Sequence, residues 1–244
     1  MKADDTIVVI GGSSGIGLAV ARRSLDDGAT VVIAGRSQQR LDAARADLAR
    51  TGPPAGRLSA HPVDIGDPAQ VTRLFERVGT LSHLVVTAAD LPYGPVVSLS
   101  EDSILRAVRS KILGSLFAAQ QAAPRITKPG SITFTSGIAA SRPAPGGALA
   151  ATVNGALESM VLALALELAP IRVNAVSPGW VDTPVWDRLA TPDVKNARMA
   201  DLAARLPARR LGRPEDIANA VAFLIADTFV TGTVLHAEGA QVLV

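Results

Sequence analysis

The sequence predicts an α/β fold, a doubly wound parallel sheet with helices on both faces. Three observations carry this. Short β-branched runs alternate with longer Ala- and Leu-rich amphipathic stretches. The runs are apolar on both faces, as strands are when helices cover both sides of a parallel sheet. The first run also passes directly into the glycine-rich turn Gly11-Gly12-Ser13-Ser14-Gly15-Ile16-Gly17 and then into a helical stretch.

In chain order, the first strand reads as Thr6–Ile10, followed by a helix at 15–27 that Gly28 closes where a C-cap glycine belongs. Strand Thr30–Ala34 leads into a helix at 38–50, and strand Arg57–Val63 into one at 67–78. Strand His83–Thr87 precedes an irregular stretch, Asp90–Ser100, and then a long helix at 101–123. Strand Ser131–Ser136 is followed by a helix at 148–169 and strand Arg172–Ser177. Pro214-Glu215-Asp216 opens the last helix, 214–226, with proline and acid where the helix dipole favours them. Strand Val234–Ala237 ends the pattern. The Pro/Gly-rich pieces at 51–56 and 142–147 are too short for linkers, so 1–244 reads as one domain. The second irregular stretch, about 183–212, is long enough for a substrate-side lid.

Composition narrows the function classes. Hydrophobic residues make up 48% of the 244-residue chain and aromatics 3%, so the core must be Ala, Val, Leu and Ile. Cysteine is absent, which excludes disulfides and thiolate metal sites and suits the expected cytoplasmic location. The start, MKADDTIVVIGG, puts two aspartates where a signal peptide needs positive charge. No window of about 18 consecutive apolar residues offers a membrane span. A net charge of +2 is too small for a nucleic-acid footprint, and Arg205, Arg209, Arg210 and Arg213 read as a solvated face or subunit contact. His61, His83 and His236 lack ligand-like spacing, so no metal site is expected.

The glycine turn lets the backbone approach a diphosphate, and the helix behind it offers free N–H groups at its positive end. Gly11, Ser13 and Gly15 also spell a hydrolase nucleophile elbow, with Asp182 and His236 following in the right order. Context argues against that reading, since no earlier strand–helix loop exists to complete an oxyanion hole. The second strand ends in Gly35-Arg36-Ser37. An acid there would accept hydrogen bonds from a ribose 2′-hydroxyl, whereas Arg36 suits a 2′-phosphate, hence NADP(H).

These motifs resemble the short-chain dehydrogenase/reductase (SDR) family, a Rossmann-fold family, along almost the whole chain. The glycine turn is similar to that family's Thr-Gly-x-x-x-Gly-x-Gly, with Ile10 in place of threonine. IRVNAVSPGWVDTP at 171–184 is a very specific match, and RLGRPEDIANAVAFLIAD at 210–227 and FVTGTVLHAEGA at 229–240 are similar to its C-terminal segment. The resemblance implies that Gly11, Ser13, Ser14, Gly15, Ile16 and Gly17 hold the diphosphate, with Arg36 and Ser37 at the adenosine end. It implies that Asp64 and Ile65, in Val63-Asp64-Ile65, contact the adenine. Ala88 and Ala89 also belong to the expected cofactor site, in Thr87-Ala88-Ala89-Asp90 where the family has Asn-Asn-Ala-Gly. Pro178, Gly179, Val181 and Thr183 would flank the nicotinamide. A homodimer or homotetramer through the helices at 101–123 and 148–169 is implied as well.

The family's chemistry uses an asparagine, a serine and a Tyr-x-x-x-Lys pair. Here the resemblance places Lys111, Gly137, Ala150 and Asn154 at those four positions, with Ser136 one residue before Gly137. The chain's single tyrosine is Tyr93, and Val97 stands four residues after it. The chain is thus identified as a divergent member lacking the pair. Three residues are the candidates for its chemistry: Lys111 as a relocated ammonium, Tyr93 as a hydroxyl donor, and Ser136 as a hydrogen-bond donor to a substrate carbonyl. Asp90 is expected to pair with Lys111 or to repel acidic substrates. Trp180 and Trp186 flank the lid. Two readings stay open: an oxidoreductase acting on a small carbonyl or alcohol, and a protein that binds NADP(H) without turning it over.

Overall fold

Alternation along strand β1 (Thr6–Ile10) shows how the sheet is covered: Ile7 and Val9 face one layer of helices, Val8 and Ile10 the other. The structure is a computed structural model that describes residues 3–50, 56–184 and 192–244. The further strands are β2 (Thr30–Gly35), β3 (Leu58–Pro62), β4 (Leu81–Val86), β5 (Ile126–Thr135), β6 (Arg172–Pro178) and β7 (Val234–Ala237). Among the described residues they form one seven-stranded sheet in the order β3-β2-β1-β4-β5-β6-β7. Every neighbouring pair is parallel.

On one face, α1 (Gly15–Asp26), α2 (Gln38–Ala49) and α8 (Pro214–Ala226) pack on Ile7, Val9, Val31, Ile33 and Val176. On the other, α3 (Pro68–Val78), α5 (Gly114–Ala122) and α6 (Ala148–Glu167) pack on Val8, Ile10, Leu84, Ile132, Phe134 and Val173. Each fully buried branched side chain contributes about 1.5–3 kcal/mol, which is how a core so poor in aromatics holds together. The predicted fold is therefore the observed one.

Three local features depart from the expectation. The helix predicted at 101–123 is α4 (Glu101–Val108) and α5 joined by a π turn, Arg109–Leu113. Strand β5 starts five residues early, at Ile126, with a register shift against β4 between Leu81 and His83. The stretch expected to be irregular at 183–212 contains helix α7 (Pro192–Arg205). That helix has Asp193 in its first turn, Arg205 in its last and an Asp201–Arg205 ion pair of 3.5 Å. It presents too few large apolar residues for a periodic signal, yet Leu202 and the following Leu206 are buried. Trp186 lies outside the described residues.

Helix α6 reaches a mean hydropathy of 1.6 over an 18-residue window, long and apolar enough to cross a membrane. Its Leu157, Val161 and Leu164 instead lie in the core under the sheet.

Candidate cofactor and active site

An all-parallel sheet delivers every strand's carboxyl end to one edge. The order reverses beside β1, whose neighbours are β2 and β4, so the crevice lies over the β1–β4 boundary. The glycine turn after β1, Arg36 after β2, Asp64 after β3, Thr87–Asp90 after β4, Ser136 after β5 and Gly179–Thr183 after β6 all meet there.

The glycine turn is stitched to both neighbours. Gly11 N and Gly12 N donate to Ala34 O at 2.7 and 3.2 Å, and Thr87 N and Ala88 N donate to Ile10 O at 2.8 and 3.1 Å. A Cβ on Gly11 would lie 2.4 Å from Thr87 Oγ1, and one on Gly17 would lie 2.2 Å from Gly11 O, so only glycine permits this approach. The N-cap of α1, Ser14, makes no side-chain capping bond, which leaves the first-turn N–H groups to an anion. Thr183 comes within 3.3 Å of the Cβ position of Gly15, joining the β6 segment to the turn. This cradle fits a dinucleotide diphosphate, and the residues expected to hold it are brought together.

Other expected cofactor residues have structural work as well. Ser37 caps α2 by accepting from Arg40 N at 3.3 Å. Asp64 Oδ1 accepts from Gly66 N at 2.9 Å, while Ile65 is buried in the core. Ala88 is half-buried and Ala89 exposed. Pro178 and Val181 are buried, Gly179 N donates to Ala237 O, and Trp180 N donates to Gln241 Oε1 at 2.9 Å.

The candidate chemical residues separate. Lys111 sits in the π turn, an arrangement frequent at functional sites. The turn carries its side chain inward, where it is 3% exposed, and Nζ donates to Thr135 O at 2.5 Å and Ser136 O at 3.4 Å. Ser115 Oγ donates to Lys111 O at 2.6 Å, satisfying its backbone carbonyl. Burial pushes the Lys111 ammonium down to about 8, against the opposing pull of the Glu158 carboxylate.

Ser136 Oγ donates to Glu158 Oε1 at 2.6 Å. Glu158 was not singled out in the sequence, although a signal existed. It lies four residues beyond Asn154 and eight beyond Ala150, on the same face of α6. Ala150 and Asn154 are buried. Asn154 Nδ2 donates to Gly137 O at 3.4 Å, and its Oδ1 is a buried acceptor without a partner. Tyr93 stands apart on the loop after β4, where it is 53% exposed and burial of its remaining surface raises its phenol rather than activating it. The following Gly94 N donates to Gly146 O at 2.9 Å, tying that loop to the one before α6. Asp90 does not pair with Lys111. Its Oδ2 meets Arg36 Nη1 at 3.0 Å, because Lys111 is directed to the strand-end carbonyls. Among the described residues no cluster suited to a metal ion occurs.

Against known proteins, a family model described as enoyl-(acyl carrier protein) reductase matches residues 10–239. The short-chain dehydrogenase/reductase ATR9 of Stachybotrys chlorohalonatus is 36% identical over 251 residues, covering 98% of this chain and 97% of its own. The chain belongs to the short-chain dehydrogenase/reductase family. Solved SDR structures agree. A small-chain dehydrogenase in complex with NADPH is 32% identical, covers 99% of this chain and 100% of its own, and superposes with a TM-score of 0.85. The MalC reductase/Diels-Alderase of Malbranchea aurantiaca is 29% identical, covers 99% of this chain and 97% of its own, with a TM-score of 0.92. SDR proteins are nicotinamide-dependent oxidoreductases, and the glycine cradle described above fits such a cofactor.

Proposed function

We propose that this chain is an NADP(H)-dependent oxidoreductase for a small carbonyl or alcohol, with a rearranged proton-handling site. The observation that carries this reading is the cluster of buried Lys111 and Ser136 with half-buried Glu158 beneath the end of β5, beside the cofactor edge. Arg36 supports the 2′-phosphate, as does the relative that binds NADPH, and the reductase/Diels-Alderase supports the reductive direction.

When bound, the nicotinamide supplies or accepts the hydride. The chain's residues do the rest. Gly11 and Ser13–Gly17 hold the diphosphate; Arg36, Ser37, Asp64, Ile65, Ala88 and Ala89 border the adenosine half; Pro178, Gly179, Val181 and Thr183 border the nicotinamide half. Lys111, Gly137, Ala150 and Asn154 stand at the family's asparagine, serine, tyrosine and lysine positions. On substrate binding Ser136 turns its one hydroxyl hydrogen, which donates to Glu158 Oε1 in the structure, to the substrate oxygen. Lys111, whose buried ammonium gives up its proton near pH 8, stabilises negative charge there and is the proton source. Tyr93 is a second hydroxyl donor, on the loop that borders the substrate side. The segment 183–212, of which 185–191 lie outside the described residues, is the lid in this reading.

Ala150 favours a second reading. Its buried methyl can move no proton, which suits a catalytically inactive NADP(H)-binding regulatory or partner protein. Titration with NADPH and NADH by cofactor fluorescence, followed by turnover with a panel of carbonyls, separates the two. The oxidoreductase reading expects turnover that falls at least about 10²-fold in Lys111→Met and Ser136→Ala. Tight binding without turnover of any carbonyl would establish the second.

The reading places one domain, 1–244, in the cytoplasm as a homodimer or homotetramer, with no nucleic-acid or membrane partner. Leu162 and Leu166 on the outer side of α6 are 57% and 82% exposed, and Leu113 of the π turn and Leu116 of α5 are also exposed, as a subunit contact needs.

A further inference from the structure

In the sheet, β2 and β4 flank β1, so residues just beyond them stand two strand spacings apart, about 9.5 Å. Arg36 and Asp90 close that gap side chain to side chain: Arg36 Nη1 lies 3.0 Å from Asp90 Oδ2, above the glycine turn. The backbone at Asp90 is anchored to the π turn. Asp90 N donates to Ser110 Oγ at 2.9 Å, and Ser110 is a buried residue of the π turn, its hydroxyl directed to Ala107 O at 3.3 Å. The guanidinium is the more exposed partner, with 56% of its side chain exposed against 32% for Asp90.

We propose that Asp90 sets cofactor selectivity by competing with the 2′-phosphate for Arg36. This rests on the reading of Arg36 as the 2′-phosphate residue. A dianionic phosphate arriving at Arg36 must displace a carboxylate and then lie beside it, which costs binding. A ribose 2′-hydroxyl meets no such repulsion and finds in Asp90 the acceptor that the end of β2 lacks. The acid missing from β2 is supplied across β1 by β4. The chain therefore accepts NADH as well as NADPH, and its preference for NADPH is smaller than Arg36 alone would produce.

The test is a binding titration of the full chain with NADPH and NADH, followed by cofactor fluorescence, for the wild type, Asp90→Asn, Arg36→Gln and the double variant. Asp90→Asn keeps the shape and removes the charge. It is expected to tighten NADPH about tenfold and leave NADH unchanged or weaker. In the Arg36→Gln background the same change is expected to improve NADPH by a different factor, since the competition has lost its object. Equal effects of Asp90→Asn on both cofactors, or none on either, overturn the selectivity role while leaving the NADP(H) reading intact. Failure of the wild type to bind either cofactor overturns both.

Discussion

Asn154 occupies the space that a side chain at position 137 would need: its Nδ2 lies 2.9 Å from the Cβ position of Gly137, and it donates to Gly137 O at 3.4 Å. The two residues fit only as a pair. Gly137→Ser alone is expected to push Asn154 aside and lower stability by about 1–3 kcal/mol, read as a fall in urea midpoint. Combining Gly137→Ser with Asn154→Lys and Ala150→Tyr is expected to raise NADPH-dependent carbonyl turnover. A stable Gly137→Ser protein would show that Asn154 gives way freely.

Lys111 predicts a pH dependence of stability. Its folded value of about 8 lies below an ordinary lysine, 10.5. Between these values the unfolded chain binds a proton that the native chain does not, so this group makes stability rise as pH goes from 8 to 10.5 and costs most below 8. Lys111→Met is expected to flatten that rise, measured as the difference between denaturant midpoints of variant and wild type at pH 7 and pH 10.

His83 predicts the opposite end of the scale. Its Nδ1 is 2.8 Å from Ser131 Oγ and its Nε2 is 3.7 Å from Asp5 Oδ2, inside the sheet. Burial lowers it to about 4, with Asp5 opposing. Below pH 6.5 the unfolded chain takes a proton that the native imidazole refuses, so stability is full above 6.5 and is lost toward pH 4, by up to about 3 kcal/mol. His83→Asn is expected to remove most of that loss in urea titrations at pH 7 and pH 4.5. An unchanged acid dependence would mean that other groups control it.

The exposed leucines of α6 predict assembly. Light scattering is expected to show a dimer or tetramer, and Leu162→Asp with Leu166→Asp is expected to lower the mass without loss of helical circular dichroism. A monomeric wild type would rule out this surface as the contact.

The fold was legible in the sequence because it depends on local periodicity and on two-sided apolar strands such as Ile7–Ile10. The glycine turn was legible too, since Gly11 and Gly17 leave no room for a Cβ. Helix α7 was not, because it relies on tertiary burial of Leu202 and the following Leu206, to which the one exposed Asp201–Arg205 pair adds little. The π turn was hidden for a similar reason, as it departs from an ordinary helix by one residue in the ladder.

By itself, then, the sequence determined the class of fold, the edge where ligands meet and the single tyrosine at Tyr93. Tertiary structure alone decided the partners: Arg36 with Asp90, Ser136 with Glu158, and Lys111 with the carbonyls that end β5. Such pairings join residues 22 to 54 positions apart. Which charge meets which acceptor across that distance follows from strand order and side-chain direction, and no local pattern encodes either.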